Sequence, residues 1–322
     1  MTYTLANTYS IDPRDNRDAY QDAMSELMKE NDKIIHIDCD LMGCINTGRI
    51  KELYPERVFN AGIAEANALG VGAGMAAAGM ISFMHTFAVF AGRRIFDQAF
   101  LSAGYSELPV HVIGSDPGVT AAINGATHMP FEDCGLYLNI PNALVLDPCD
   151  YAQTYALTKE CAKYPYVSYM RLIRRTFKKV YADGSEFEIG KGAVLKSGKD
   201  VCIIASGIMV SNALRASEML KEEGIDAQVI DMFCWKPLDE ELIVESARKC
   251  GAIVTAENHQ VETGLGSAIS NVLARRCPTP QEFIGIQNRY GQAAPQAYLE
   301  EEYGLTAADI VKAAKRAIER KG

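Results

Sequence analysis

The chain has 322 residues, 48% of them hydrophobic and 23% charged, an ordinary globular composition with room for about two domains. Its formal net charge of −9 excludes a generic nucleic-acid binder, which needs a positive footprint. Nine cysteines, an odd number with no C-x-x-C pair, point to reduced thiols rather than a disulfide framework. The five histidines lie far apart, and His36 and Cys39, the one close pair, would point to opposite faces of a strand, so no metal site is expected. The N-terminus lacks a basic region followed by an apolar run, so no signal peptide is expected. The longest apolar stretch is too rich in Gly and Ala for a membrane span, and the expected compartment is the cytoplasm.

In chain order, residues 17–30 show helical periodicity through Ala19, Ala23, Met24 and Leu27. Short apolar runs at 34–38, 110–114, 143–146 and 166–171 read as strands between helical patterns. Such alternation implies parallel sheets covered on both faces, an α/β class. Lys, Asp, Gly and Ser replace core residues over 177–198, so a first domain is expected over 1–180 and a linker over 181–198. A second doubly wound α/β domain, 199–322, follows, with strands at 201–205, 226–231 and 252–257 and amphipathic helices at 209–223 and 307–320. The G-L-G-S run at 264–267 is a weak phosphate-loop signal, explained as well by a tight helix entry, and His259 reads as a packed or interface histidine.

The segment 60–97 is the most unusual. Glu65 heads a run, 66–84, with no other ionisable group before His85, and Gly70, Gly72, Gly74 and Gly79 make it narrow enough for close backbone packing. A buried carboxylate costs several kcal/mol unless paired or protonated, which marks Glu65 as a candidate for chemistry. The bland reading is a half-exposed glutamate compensating the dipole of the helix it begins.

Three further motifs decide between these. G-I-A-E-A-N (62–67), T-F-A-V-F (86–90) and S-D-P-G-V-T-A-A-I-N-G-A-T-H-M-P (115–130) closely resemble the pyrimidine-binding domain of transketolases. The later V-C-I-I-A-S-G, V-I-D-M-F-C-W-K-P-L-D and A-E-N-H-Q-V-E-T-G-L-G-S resemble the transketolase C-terminal domain. A Gly-Asp-Gly with a downstream Asn pair, the family's magnesium and diphosphate motif, is absent. The chain thus resembles the C-terminal subunit of a split transketolase. The resemblance implies a pyrimidine-binding domain followed by a transketolase C-terminal domain. It also implies thiamine diphosphate with Mg²⁺ held mainly by an N-terminal partner subunit. A homodimer through this chain inside a heterotetramer is expected as well, with no membrane or nucleic-acid partner.

On this resemblance Glu65 holds and protonates the cofactor's aminopyrimidine, and an apolar site suits a carboxyl that must share a proton. Phe87 and Phe90 match the aromatic pair around that ring. Asp40 matches an acid at the end of the first strand near the cofactor and the dimer interface, or else caps a turn. His128 matches a histidine that hydrogen-bonds the donor sugar near its carbonyl. Arg17 and Arg171 match phosphate-binding arginines, or are surface ion-pair members; Arg174 and Arg175 add charge without a motif match.

The chain also departs from the family. Asp116 stands where a histidine is usual, and Ile123 and Asn124 replace an acidic pair that contacts a sugar hydroxyl. Two like charges about 4 Å apart at an effective dielectric near 20 repel by roughly 4 kcal/mol, so Asp116 disfavours an ordinary sugar phosphate. His85 sits where a small residue is usual and would restore a donor. These changes imply a modified ketose, a branched sugar phosphate or a sulfonated sugar as the small-molecule substrate. The alternatives are a β-type subunit of a 2-oxo acid dehydrogenase, deoxyxylulose-phosphate synthase chemistry, or a non-catalytic transketolase-like scaffold.

Overall fold

The structure, a computed structural model, describes residues 1–6 and 10–321. Two sheets organise it. The first is built by β1 (Ile34–Asp38), β2 (Val58–Asn60), β3 (Ile81–Phe87), β4 (Val110–Ser115), β5 (Leu144–Leu146) and β6 (Ser168–Leu172). The second is built by β7 (Ala193–Lys196), β8 (Val201–Ala205), β9 (Ala227–Asp231), β11 (Ile253–Gln260) and β12 (Gln281–Ile286). Between β9 and β11 in sequence, β10 (Cys234–Lys236) returns to the first sheet and pairs antiparallel with β5. The strand orders are β10-β5-β6-β4-β3-β1-β2 and β12-β11-β8-β9-β7. All pairings are parallel except β10 with β5 and β7 with β9.

The central strands are buried along their whole length, which is why they read as apolar runs rather than alternating patterns. Two features were not visible in the sequence pattern. The small-residue run divides into a helix, Glu65–Ala77, a turn at Gly79 (φ +95°) and the strand β3. Gly supplies the left-handed backbone that lets the chain reverse there. The expected linker, 181–198, contains β7 of the second sheet. As an edge strand with alternating burial it needs only Ala193 and Leu195 inside, too little for an apolar run. The preceding segment is also tied down, through bridges Thr2 to Glu186, Leu5 to Tyr181 and Ile11 to Lys178. The first sheet positions the site, because the carboxyl ends of β1, β3 and β4 lie side by side.

Candidate active site

In an open α/β sheet ligands collect at the carboxyl ends of the strands. There β3 ends in Phe87, and the helix Ala88–Arg93 starts at once, placing Phe90 beside it with ring centroids 6.2 Å apart. His128 closes the group edge-on, 6.0 Å from Phe87 and 5.4 Å from Phe90, and its Nδ1 lies 2.9 Å from the Thr127 hydroxyl. Glu65 begins its helix only 5% exposed. Its Oε1 accepts a hydrogen bond from Arg94 Nη1 at 2.8 Å, and the Arg94 guanidinium lies over the Phe90 ring at 3.8 Å. Four of the expected residues, Glu65, Phe87, Phe90 and His128, therefore gather in one cluster at the strand ends, with Glu65 joined to the rings through Arg94. Arg94, which the sequence reading missed, joins them. Its signal was the spacing F-A-G-R-R, which sets Phe90 and Arg94 four residues apart, within helical reach.

A second cluster lies alongside. Asp116 is buried and pairs with Arg174 at 2.9 Å, and the Arg174 guanidinium also approaches the Phe87 ring at 5.9 Å. Burial pushes the Asp116 carboxyl up, while Arg174, Arg175 and Arg17 oppose the rise. The negative charge expected at this position is thus answered by arginines. Arg17 pairs with Asp15 at 2.7 Å and donates to the Cys44 carbonyl at 3.0 Å. Asn124 is exposed at the end of the segment Gly118–Asn124. That segment is anchored by Asn258 of the second sheet, which accepts from Val119 N at 2.9 Å and donates to Pro117 O at 3.0 Å. Gly118 is required there, since a Cβ would meet the Asn258 side chain at 2.2 Å. Asp40 is exposed at a left-handed turn (φ 60°), its N–H donating to Asn60 Oδ1 at 3.0 Å.

Two expected substrate residues do not face the Glu65 cluster. His85 is fully buried, with Nδ1 3.1 Å from Asp38 Oδ2 and Nε2 2.9 Å from Ser115 Oγ. Burial alone would raise the Asp38 carboxyl, but the adjacent His36 and His85 rings, the latter hydrogen-bonded to it, hold it well below the usual range. Asp38 is therefore the acceptor, His85 Nδ1–H donates to it, and Nε2 accepts from the Ser115 hydroxyl. Thr47 Oγ1 and Leu41 N also donate to Asp38, at 3.0 and 2.7 Å. This network fixes the strand ends below Phe87 and Asp116, so His85 is a support and not the replacement donor expected. Arg171 is 1% exposed and forks onto Asp133 through Nε at 2.8 Å and Nη2 at 2.5 Å, while Nη1 donates to Asn258 O at 3.0 Å. All three bonds are internal, so the structure places Arg171 in the interior and not beside Glu65 and the phenylalanines.

The G-L-G-S run begins the helix Leu265–Arg276, whose first amides are already taken. Glu257 accepts from Leu265 N at 2.7 Å and Gly266 N at 2.8 Å. With both oxygens of the Glu257 carboxyl group on these amides, the helix start leaves no place for a phosphate. His259 is buried, accepts from Gly135 N at 3.2 Å, and is pushed down to about 4 by burial, with Arg171 adding to the effect. It is a packed neutral histidine. Among the described residues, no three His, Cys, Asp or Glu side chains gather where they could hold a metal ion.

Comparison with known proteins identifies the two domains. Residues 12–179 match the transketolase pyrimidine binding domain, and residues 190–310 match the transketolase C-terminal domain. The chain belongs to the transketolase family. It corresponds to the C-terminal subunit of a split transketolase. It is 44% identical over 305 residues to the 6-deoxy-6-sulfo-D-fructose transketolase subunit SqwH of Clostridium sp. (strain MSTE9), covering 95% of each chain. A putative transketolase C-terminal section of Methanocaldococcus jannaschii is 37% identical over 299 residues, covering 92% of this chain and 94% of the relative. A solved split gene transketolase, an inactive beta4 tetramer, superposes with a TM-score of 0.90 at 45% identity, covering 96% of this chain and 99% of its own.

Proposed function

We propose that this transketolase subunit holds and activates the aminopyrimidine of thiamine diphosphate. An N-terminal-type partner holds the diphosphate and Mg²⁺, and together they transfer a two-carbon ketol unit from an anionic ketose to an aldose. The observation that carries this reading is the cluster at the strand ends in which a buried carboxylate, two half-buried phenylalanines and a histidine edge converge. The residues fit the group, because a planar N–H donor, the Arg94 guanidinium, already sits on Glu65 and Phe90. When bound, thiamine diphosphate supplies the nucleophilic carbon of the reaction. Glu65 would hold a proton at the ring nitrogen facing it, and Phe87 and Phe90 would cover the ring and exclude water. His128 is placed to hydrogen-bond a sugar oxygen over the same cluster.

The anionic end of the sugar is assigned to Arg17 and Arg174, whose charges act on Asp116, and a sugar hydroxyl to the exposed Asn124. Asp116 cancels one guanidinium charge there, leaving less positive charge than a phosphate dianion prefers and suiting a singly charged sulfonate. We therefore favour a sulfonated ketose as donor, in line with the substrate named for the Clostridium relative. Assembly is assigned to the exposed side of the helix Glu65–Ala77, where Ala66, Gly70, Val71, Gly74 and Ala77 face outward, and the exposed Asp40 is assigned to the same interface. A second copy of this chain fits that narrow face, giving a heterotetramer with two partner subunits. Nine free thiols, seven of them buried, suit a reducing compartment, and we assign the protein to the cytoplasm.

The test is ketol transfer by the complex reconstituted with its partner. We expect kcat/KM for 6-deoxy-6-sulfofructose to exceed that for xylulose 5-phosphate by at least about tenfold, a modest charge discrimination. Equal or better use of xylulose 5-phosphate would reject the sulfonate assignment.

A further inference from the structure

Arg94 makes its contacts inside the candidate cofactor pocket. Nη1 donates to Glu65 Oε1 at 2.8 Å while the guanidinium plane lies over Phe90 at 3.8 Å. A flat cation that gives an N–H to Glu65 and covers the Phe90 face makes the two contacts that a protonated aminopyrimidine would make. The two cannot hold the same carboxylate oxygen and ring face together. The geometry points to Arg94 as an internal stand-in for the pyrimidine, which the incoming ring must displace.

Exposure fits a side chain that enters and leaves. The Glu65 side chain is 5% exposed and the Arg94 side chain 48%, so the arginine reaches the carboxylate from solvent and can swing back without unpacking the core. The helix start explains why such a partner is needed. Glu65 is anchored at the first turn of its helix and cannot retreat to water, and a buried carboxylate left alone is expensive. Arg94 neutralises it until the ring arrives, and the cation–π contact holds the guanidinium flat. Loading is then an exchange, and apparent affinity is lowered by the fraction of chains in which Arg94 blocks the pocket. This inference rests on the assignment of Glu65 and Phe90 to the pyrimidine.

The experiment titrates 4-amino-5-hydroxymethyl-2-methylpyrimidine, the free base of the cofactor, calorimetrically into the full chain. Wild type is compared with Arg94→Ala, Arg94→Lys and the double variant Glu65→Ala/Arg94→Ala. We expect Arg94→Ala to bind the probe at least about tenfold more tightly than wild type. Arg94→Lys falls between, since an ammonium keeps the charge without the plane. The double variant loses the gain. If Arg94→Ala binds no more tightly than wild type, including no binding by either, the stand-in role is overturned. If the double variant binds as tightly as Arg94→Ala, the stand-in role falls together with the assignment of Glu65 to the pyrimidine.

Discussion

Two polar regions of this subunit are built from the same residue types and behave oppositely. At the junction of the two sheets, Arg171, Asp133, Asp147, Glu257 and His259 are all buried. There Arg171 forks onto Asp133, Tyr169 donates to Asp133 at 2.6 Å, and Ser206 donates to Asp147 at 2.8 Å. At the strand ends, Phe87, Phe90 and His128 are partly open, while Glu65 is buried and its hydrogen-bond partner among the described residues is a half-exposed arginine. A saturated buried network rigidifies a junction and has no capacity left for a ligand. An under-partnered pocket is where a ligand completes the bonding. Partner completeness, and not the presence of charge, separates the two.

The sharpest way to break this contrast is Arg171→Met. It leaves Asp133 charged and unpaired in the interior, and we expect a loss of about 3–5 kcal/mol in denaturant unfolding. A variant as stable as wild type would show that the junction is not the structural network described. A second probe is pH. Burial pushes the Glu257 carboxyl up to about 8, with the Gly266 and Leu265 amides opposing. An acid whose folded pKa lies above its unfolded value of about 4.3 stabilises the fold fully below that value. The contribution is lost as pH rises through about 8. Stability should fall between pH 5 and pH 8, and Glu257→Gln should flatten the fall; an unchanged slope in the variant would assign it elsewhere. The smallest effect is expected at the open pocket. Phe90→Ala should weaken thiamine diphosphate binding to the reconstituted complex by roughly 2- to 12-fold, the ~0.5–1.5 kcal/mol of a ring contact, with little change in melting. A large melting loss with unchanged binding would make Phe90 a core residue.

Much of the fold was legible because the central strands are short apolar runs with helices between them. β1, β4, β8 and the helices Asn16–Glu30, Met209–Glu222 and Ala307–Glu319 lie within a residue or so of their expected places. β3 was hidden because its apolar residues continue the small-residue run without a break, and only Gly79 marks the reversal. β7 and β10 are edge strands held by antiparallel pairing to distant segments, and β10 crosses into the other sheet, which no local pattern encodes. In the site, Glu65, Phe87, Phe90 and His128 carried motif signals and come together. Arg171 carried one too and is buried, because position at a strand end does not say which way the side chain points. Arg94 carried none beyond its spacing from Phe90.

The most direct test of the central claim is Glu65→Gln in the complex reconstituted with the partner subunit, assayed for ketol transfer beside wild type. The account predicts that kcat falls by roughly 10²–10⁴-fold, the range for a side chain that positions a proton, while the unfolding midpoint stays close to that of wild type. Full activity in the variant would contradict it, leaving Glu65 as a helix-start carboxylate paired with Arg94.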